Sequence, residues 1–370
     1  MRIEPFGVEQ WMNKWETRCA HNLAETCVES LTIAELAALT GADIAADLAR
    51  MKLTYGAILG SEELRSRVAG LHVGRTERNV LVTHGTIGAN HMVYQALIEP
   101  GDHVVAITPT YQQHTAIPRS LGAEVTELPL READLWLPDL DRLSDMVRPT
   151  TKIIALTNPN NPTGSLINRA GLERIAAIAD RIGAWVLCDE VYRGTERETD
   201  PAPSIAELSA RGISTGSMSK AFSLAGLRLG WVVGPEDLLA ACEVHRDYTT
   251  ISVGMVDDYL ATLALGVTDQ ILARGRRITS ANLAVLDDWI DRQPLRYIRP
   301  LSGTTALLGY NGGPPSYDLC EQLLSDTGAM LTPGSIMGME GQLRIGFGNP
   351  VAEFAAGLSE MDGWFDRLDV

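Results

Sequence analysis

Between residues 79 and 192, short apolar runs alternate with helical stretches, and that rhythm restricts the fold more than any other feature of the chain. The runs 79–83, 103–108, 124–129, 152–157 and 185–192 each read as a strand, and 89–98, 138–146 and 171–182 carry helical patterns between them. Pro138 falls in the first turn of its helix, where a missing N–H breaks no bond. Strands alternating with helices predict an α/β fold, with a large domain built on a mixed, mostly parallel sheet covered by helices on both faces. In such sheets ligands gather beyond the carboxyl ends of the strands. The turns after these runs are therefore the places to look for chemistry.

The flanks have a different texture. Residues 1–45 are irregular in pattern, apart from Thr32 and Glu35, which resemble a capping box opening a helix. Gly60 and Ser61 read as a turn and N-cap before a stripe of Leu64, Val68 and Leu71. Residues 259–291 read as mostly helical with an interruption at Gly266. Beyond them, strands at 303–309 and 343–348 and a helix at 319–324 predict a smaller α+β domain. The expected division is an N-terminal segment 1–45 packing on the small domain, a large domain 46–275 and a small domain 276–370.

The 370 residues carry a formal charge of −16, which argues against nucleic acid and anionic membranes as partners and favours small-molecule substrates. Five cysteines without CxxC spacing read as reduced, and neither an apolar leader nor a run of about 18 apolar residues is found. A cytoplasmic location is expected. His72, His84, His91, His103 and His114 lack metal-ligand spacing, so no metal is expected.

Four stretches carry chemistry. In 214–231, Lys220 stands alone among Ser and Gly, with Arg228 eight positions on, an arrangement suited to a Schiff base with a phosphorylated aldehyde. The 84–88 turn (His-Gly-Thr-Ile-Gly) can aim backbone N–H groups at a phosphate, and taken by itself reads as an ordinary βα turn. Asn161 sits between two prolines in 158–164, where an amide can be held at a set angle or simply stack in a turn. Asp189 ends an apolar strand, where a carboxylate is costly unless paired, either for function or for structure.

In order and spacing, Tyr55, Gly85-Thr86-Ile87, Tyr111, Asn161, Asp189, Tyr192, Ser217, Lys220, Arg228 and Arg344 together resemble the fold-type-I, class I/II aminotransferases, which depend on pyridoxal 5'-phosphate. The resemblance spans roughly 50–350 and implies roles. Lys220 would be the Schiff-base lysine and proton shuttle, Asp189 the partner of the pyridine nitrogen, and Tyr192 and Asn161 the partners of the phenolic oxygen. Tyr111 would stack on the ring, while Gly85, Thr86, Ile87, Ser217 and Arg228 hold the phosphate. Tyr55 would reach that phosphate from a neighbouring subunit, implying a homodimer with shared sites, and Arg344 would clamp the substrate carboxylate. An L-amino acid and a 2-oxo acid are the implied substrates, and transamination the implied reaction.

The chain departs from common aminotransferases at 24–28 (Ala-Glu-Thr-Cys-Val), which puts Glu25 and Cys27 where many relatives have a glycine-containing loop near the substrate. Glu25 there is unusual for acidic or apolar substrates, and reads otherwise as a capping or surface residue. Thr83-His84-Gly85, Arg246-Asp247-Tyr248 and 318–321 are similar to the capreomycidine synthase branch, which eliminates water from a hydroxylated arginine and closes a ring. The 24–27 stretch also resembles arginine oxidases and hydroxylases that use O2. These guanidino readings stand as alternatives, as does a catalytically silent relative.

Overall fold

The computed structural model describes residues 2–368. Seven strands form the larger sheet: β1 (Val80–Thr83), β2 (His103–Thr108), β3 (Glu124–Pro129), β4 (Thr151–Thr157), β5 (Trp185–Asp189), β6 (Gly212–Ser217) and β7 (Gly230–Val233). Their order is β1-β7-β6-β5-β4-β2-β3, and β7 alone runs opposite to the other six. The mixed, mostly parallel sheet is as expected.

Side chains alternate across a strand, and the central runs are apolar on both faces. Val104, Ile153 and Ala155 join one core with the Gly85–Leu97 and Glu236–Asp247 helices. Val105, Ile154 and Leu156 join another with the Arg169–Ile182 helix. Helices therefore cover both faces, and the sheet's carboxyl edge is left for the site.

The second sheet has four short antiparallel strands: β8 (Arg296–Tyr297), β9 (Thr305–Gly309), β10 (Thr332–Pro333) and β11 (Gln342–Gly346), ordered β10-β11-β9-β8. The Ser316–Thr327 and Val351–Glu360 helices pack on it around Leu319, Leu343, Phe347 and Phe354. Trp11, Leu23 and Ala24 enter this core, and His21–Asn22 pairs with Ala329–Met330. Leu31, Leu36 and Ile44 instead pack with Leu64 and Trp231 of the large body, so the N-terminal segment divides between the two. The boundary expected at residue 275 falls inside the Thr268–Ile290 helix.

Several boundaries move for local reasons. The helix expected from residue 89 starts at Gly85, whose φ of 66° swings the chain from strand into helix without a separate turn. Pro138 lies outside its helix: Asp139 is the N-cap, accepting from the N–H groups of Asp141 and Arg142. The 185–192 strand ends at Asp189, because turns closed by Arg193 N–H to Glu190 O and Thr195 N–H to Tyr192 O follow. Leu71 lies past the end of the Glu62–Ala69 helix but packs on the same core. The N-terminal segment, irregular in pattern, contains the Gly7–Trp15 helix. The Thr32–Glu35 capping box and the Ser61 N-cap form as expected.

Candidate active site

The carboxyl ends of β4, β5 and β6 lead into the segments bearing Asn161, Asp189-to-Tyr192 and Ser217-to-Lys220, and the three open on one cavity of about 320 Å³. The same cavity is lined by Glu25, Thr26, Cys27, Thr86, Ile87, Tyr111, Arg228 and Arg344. Gly85 adjoins it, since a Cβ there would lie 3.1 Å from the Arg228 guanidinium. Nearly every residue singled out in the sequence is thus brought together. Tyr55 is not: it is 67% exposed and lines none of this cavity.

One end is built for an anion. The Gly85–Leu97 helix presents its first turn, whose N–H groups have no acceptor within the helix. Thr86 Oγ1 is buried with no hydrogen-bond partner among the described residues. Arg228, at a positive φ of 49°, donates to Ala225 O at 2.9 Å and Ser219 Oγ at 3.3 Å. Ser217 Oγ accepts the Ser219 N–H at 3.2 Å. A Cβ at Gly230 would lie 2.4 Å from the Gly85 carbonyl carbon, so β7 must carry glycine for the helix start to sit this close.

At the centre, Lys220 Nζ donates to Thr26 Oγ1 at 2.6 Å and Cys27 Sγ at 3.2 Å, and lies 3.9 Å from Glu25 Oε1. Burial pulls its pKa down, but Cys27, Tyr192 and Glu25 outweigh that and hold it above the ordinary lysine value. Burial pushes the Cys27 thiol up to about 11, leaving it neutral near pH 7. Asp189 is 4% exposed. Its carboxylate accepts from Asn90 Nδ2 at 3.0 Å and the Val191 N–H at 3.1 Å. Burial raises it to about 6 against those two donors. Burial likewise raises the Tyr192 phenol, with Lys220 pulling it back.

The other end combines one cation with carboxylates. Arg344 on β11 is 3% exposed and donates to Asn161 Oδ1 at 3.3 Å, Ala24 O at 3.1 Å and Thr332 Oγ1 at 3.1 Å. Its Nε is buried without a partner among the described residues. Glu25 Oε1 accepts the N–H groups of Thr26 and Cys27, each at 2.7 Å. The Glu25 loop is seated on the small sheet: a Cβ at Gly346 would lie 1.7 Å from Glu25 O, and one at Gly348 2.0 Å from Cys27 O. Burial opposes the Glu25 charge, but Lys220 and the two N–H bonds prevail and keep its pKa below the ordinary value.

Sequence reading missed Glu9, Met12 and Glu16, which line the cavity from the N-terminal helix and its C-cap. Their i, i+3, i+7 spacing marks one helical face and could have revealed them. Tyr111 OH donates to Glu9 Oε1 at 2.8 Å. Burial, with Glu25 and Glu9 nearby, raises the Glu16 carboxyl. Asn90 and Thr26 were also missed.

The architecture is that of fold-type-I pyridoxal-phosphate enzymes. The chain belongs to the aminotransferase class I and II family, which matches residues 27–357. It is similar over all of both chains to the crystal structure of a PLP-dependent aminotransferase from Streptococcus suis, with a TM-score of 0.96 and 41% identity. Capreomycidine synthase of Streptomyces vinaceus is 29% identical over 95% of this chain and 91% of its own. An arginine–pyruvate transaminase of Pseudomonas aeruginosa is 27% identical over 79% of this chain and 77% of its own.

The family's cofactor fits this cavity. The unpartnered Thr86 hydroxyl, the open first turn and the glycine-dependent closeness of β7 suit a phosphate, with a lysine and a buried carboxylate within the same walls. Among the described residues there is no cluster able to hold a metal and no helix long and apolar enough to cross a membrane.

Proposed function

We propose that the chain is an aminotransferase for an L-amino acid with a cationic side chain, passing its amino group to a 2-oxo acid. The observation that carries the substrate class is the set of three carboxylates, Glu9, Glu16 and Glu25, lining a cavity whose only other fixed charges among its described lining residues are Asp189, Lys220, Arg228 and Arg344. Arg228 belongs to the phosphate cradle, leaving Arg344 to grip the substrate carboxylate, with its free Nε as an additional donor. A guanidinium or ammonium then finds carboxylates, one of which, Glu25, is held ionised with Oε2 unbonded among the described residues.

Bound pyridoxal 5'-phosphate supplies an aldehyde for the amino group and a ring that withdraws electrons from the α-carbon. Thr86, Ile87, Gly85, Ser217 and Arg228 would hold its phosphate, Asp189 would pair with its ring nitrogen, Tyr192 and Asn161 with its phenolic oxygen, and Tyr111 would stack on its ring. Lys220 Nζ takes and returns the proton at the α-carbon. Thr26 and Cys27, its hydrogen-bond partners, orient that nitrogen.

A second reading is elimination with ring closure, favoured by the end-to-end match to capreomycidine synthase, which extends further along this chain than the match to the arginine transaminase. One experiment separates the readings. Arginine, 3-hydroxyarginine (which alone of the set has a β-hydroxyl to lose as water), ornithine, alanine and glutamate are incubated with and without a 2-oxo acid, and with and without air. Transamination needs the acceptor and not air, elimination needs neither, and an oxidase stalls without O2. Turnover of glutamate or alanine ahead of the cationic amino acids would refute the substrate class. A visible absorbance bleached by borohydride and missing in Lys220→Ala separates an enzyme from a silent relative.

The working unit we propose is a cytoplasmic homodimer. Leu53, Tyr55 and Tyr248 are strongly exposed apolar or aromatic side chains that a second copy would cover, bringing Tyr55 to the partner's phosphate cradle. The large body is proposed to span 46–275, with the small domain following. Sedimentation of the holoenzyme tests the dimer, and a monomer at micromolar concentration would exclude it.

A further inference from the structure

We infer that Asn90 is a positioning residue for Asp189, and that Thr215 and Gln113 fix which way its amide points. The inference rests on reading Asp189 as the partner of the cofactor's ring nitrogen. Asn90 is fully buried in the Gly85–Leu97 helix, one turn beyond the phosphate cradle. Its Nδ2 donates to Asp189 Oδ2 at 3.0 Å and to Gln113 Oε1 at 3.3 Å, while its Oδ1 accepts from Thr215 Oγ1 at 2.7 Å.

The orientation of an amide is settled by its neighbours, and here two neighbours agree. Gln113 Nε2 donates to the carbonyl of Ile87 at 2.9 Å, an atom that can only accept. Gln113 must therefore turn its oxygen to Asn90 and can be met only by the Asn90 NH2 group. The Thr215 hydroxyl, on β6, spends its one proton on Asn90 Oδ1. With the oxygen claimed by Thr215, a donor is left for Asp189. Among the described residues Asp189 has no ion pair, so this amide and the Val191 N–H, helped by the charge of Lys220, are what compensate its burial.

The titratable groups acting on Asp189 are Lys220, which favours its charge, and Tyr94, Tyr111 and Cys188, which burial raises and so keeps neutral. His114, bonded to Tyr94 OH at 2.9 Å, is lowered to about 4 by burial and is neutral as well. Among the described residues no cation besides Lys220 acts on Asp189, so none replaces the amide if it is lost. Gln113 also ties this network to Ile87, in the first turn of the phosphate cradle, so both ends of the cofactor are set by one buried set of amides.

The test compares Asn90→Leu, Thr215→Val, Thr215→Ser and Asp189→Asn with the parent. Two quantities are read: the cofactor concentration that half-saturates the apoprotein, and the pH midpoint of the holoenzyme's visible band. Asn90→Leu and Thr215→Val are expected to raise the first by roughly tenfold, the scale of one hydrogen bond to a charged group. They should move the midpoint upward by about half a unit or more, in the direction of Asp189→Asn, because an uncharged ring nitrogen no longer repels the proton at Lys220. Thr215→Ser keeps the hydroxyl and should restore both. If Asn90→Leu does not fold, the Thr215 pair decides. Parent-like values in Asn90→Leu or Thr215→Val, with Asp189→Asn altered, overturn the role of Asn90 alone. Parent-like values in Asp189→Asn overturn the reading of Asp189 and this inference with it.

Discussion

Replacing Glu25 by glutamine removes one charge and little else, which makes it the sharpest probe of substrate class. The glutamine amide oxygen can still accept from the N–H groups of Thr26 and Cys27, the two 2.7 Å bonds that shape the loop. Two unit charges about 4 Å apart interact by about 4 kcal/mol at an effective dielectric of about 20. The Glu25 side chain is one-third exposed, so solvent screening must reduce this for a substrate cation. A loss of about 1–2 kcal/mol follows, or roughly five- to thirtyfold in kcat/KM. Glu25 also lies 3.9 Å from Lys220, and losing it alters that ammonium for every substrate alike. The ratio of kcat/KM for arginine to that for a neutral amino acid of similar length cancels this common effect. Stopped-flow or coupled assays on both substrates, with wild type and variant, give the ratio directly. An equal loss for both substrates, or no loss, would show that Glu25 serves only the loop and Lys220.

Three further outcomes are expected. Arg344→Lys should raise the KM of both amino acid and 2-oxo acid by about two orders of magnitude while leaving cofactor affinity unchanged, since an ammonium cannot replace a bidentate guanidinium; cofactor loss in parallel would contradict the division of the cavity. Gly230→Ala places a Cβ 2.4 Å from the Gly85 backbone and should weaken cofactor binding at least tenfold, measured by titration of the apoprotein, through displacement of the cradle. Glu190, buried, is raised to about 7 by that burial, against Arg193 and the donors Ile205 N–H, Ser214 and Ser204. The folded state therefore binds a proton that the unfolded state has released, and stability falls as pH rises from about 4.5 to about 7. Glu190→Gln should flatten that dependence in apoprotein Tm between pH 5 and 8; an unchanged slope refutes it.

The strands were legible because β2, β4 and β5 are apolar on both faces, a run that little else produces in an alternating chain. Helix starts were less so, because they depend on which side chain caps: Asp139 rather than Pro138, and Asn168 ahead of Gly171. The cofactor end of the cavity could be read because its residue types answer one another across strand-end turns. At the opposite end Arg344, Glu25 and Cys27 could be read, but Glu9 and Glu16 could not, because they lie on a short helix and its C-cap whose partners, Tyr111 and the small sheet, are distant in sequence. Asn90 gave no signal, since an asparagine within a helix resembles any other until the fold brings Thr215 and Asp189 to it.

Glycines 346 and 348 have a consequence for selectivity. With the backbone of Glu25 and Cys27 pressed against them, the loop cannot shift without the strand that carries Arg344. On the proposed function, Arg344, which grips the α-carboxylate, and Glu25, which meets the far cation, are two marks on one rigid ruler. Chain length is then read as a fixed span, and retuning it calls for changing the marks (Glu25 to aspartate, or the carboxylates of the N-terminal helix) while leaving the glycines between them untouched.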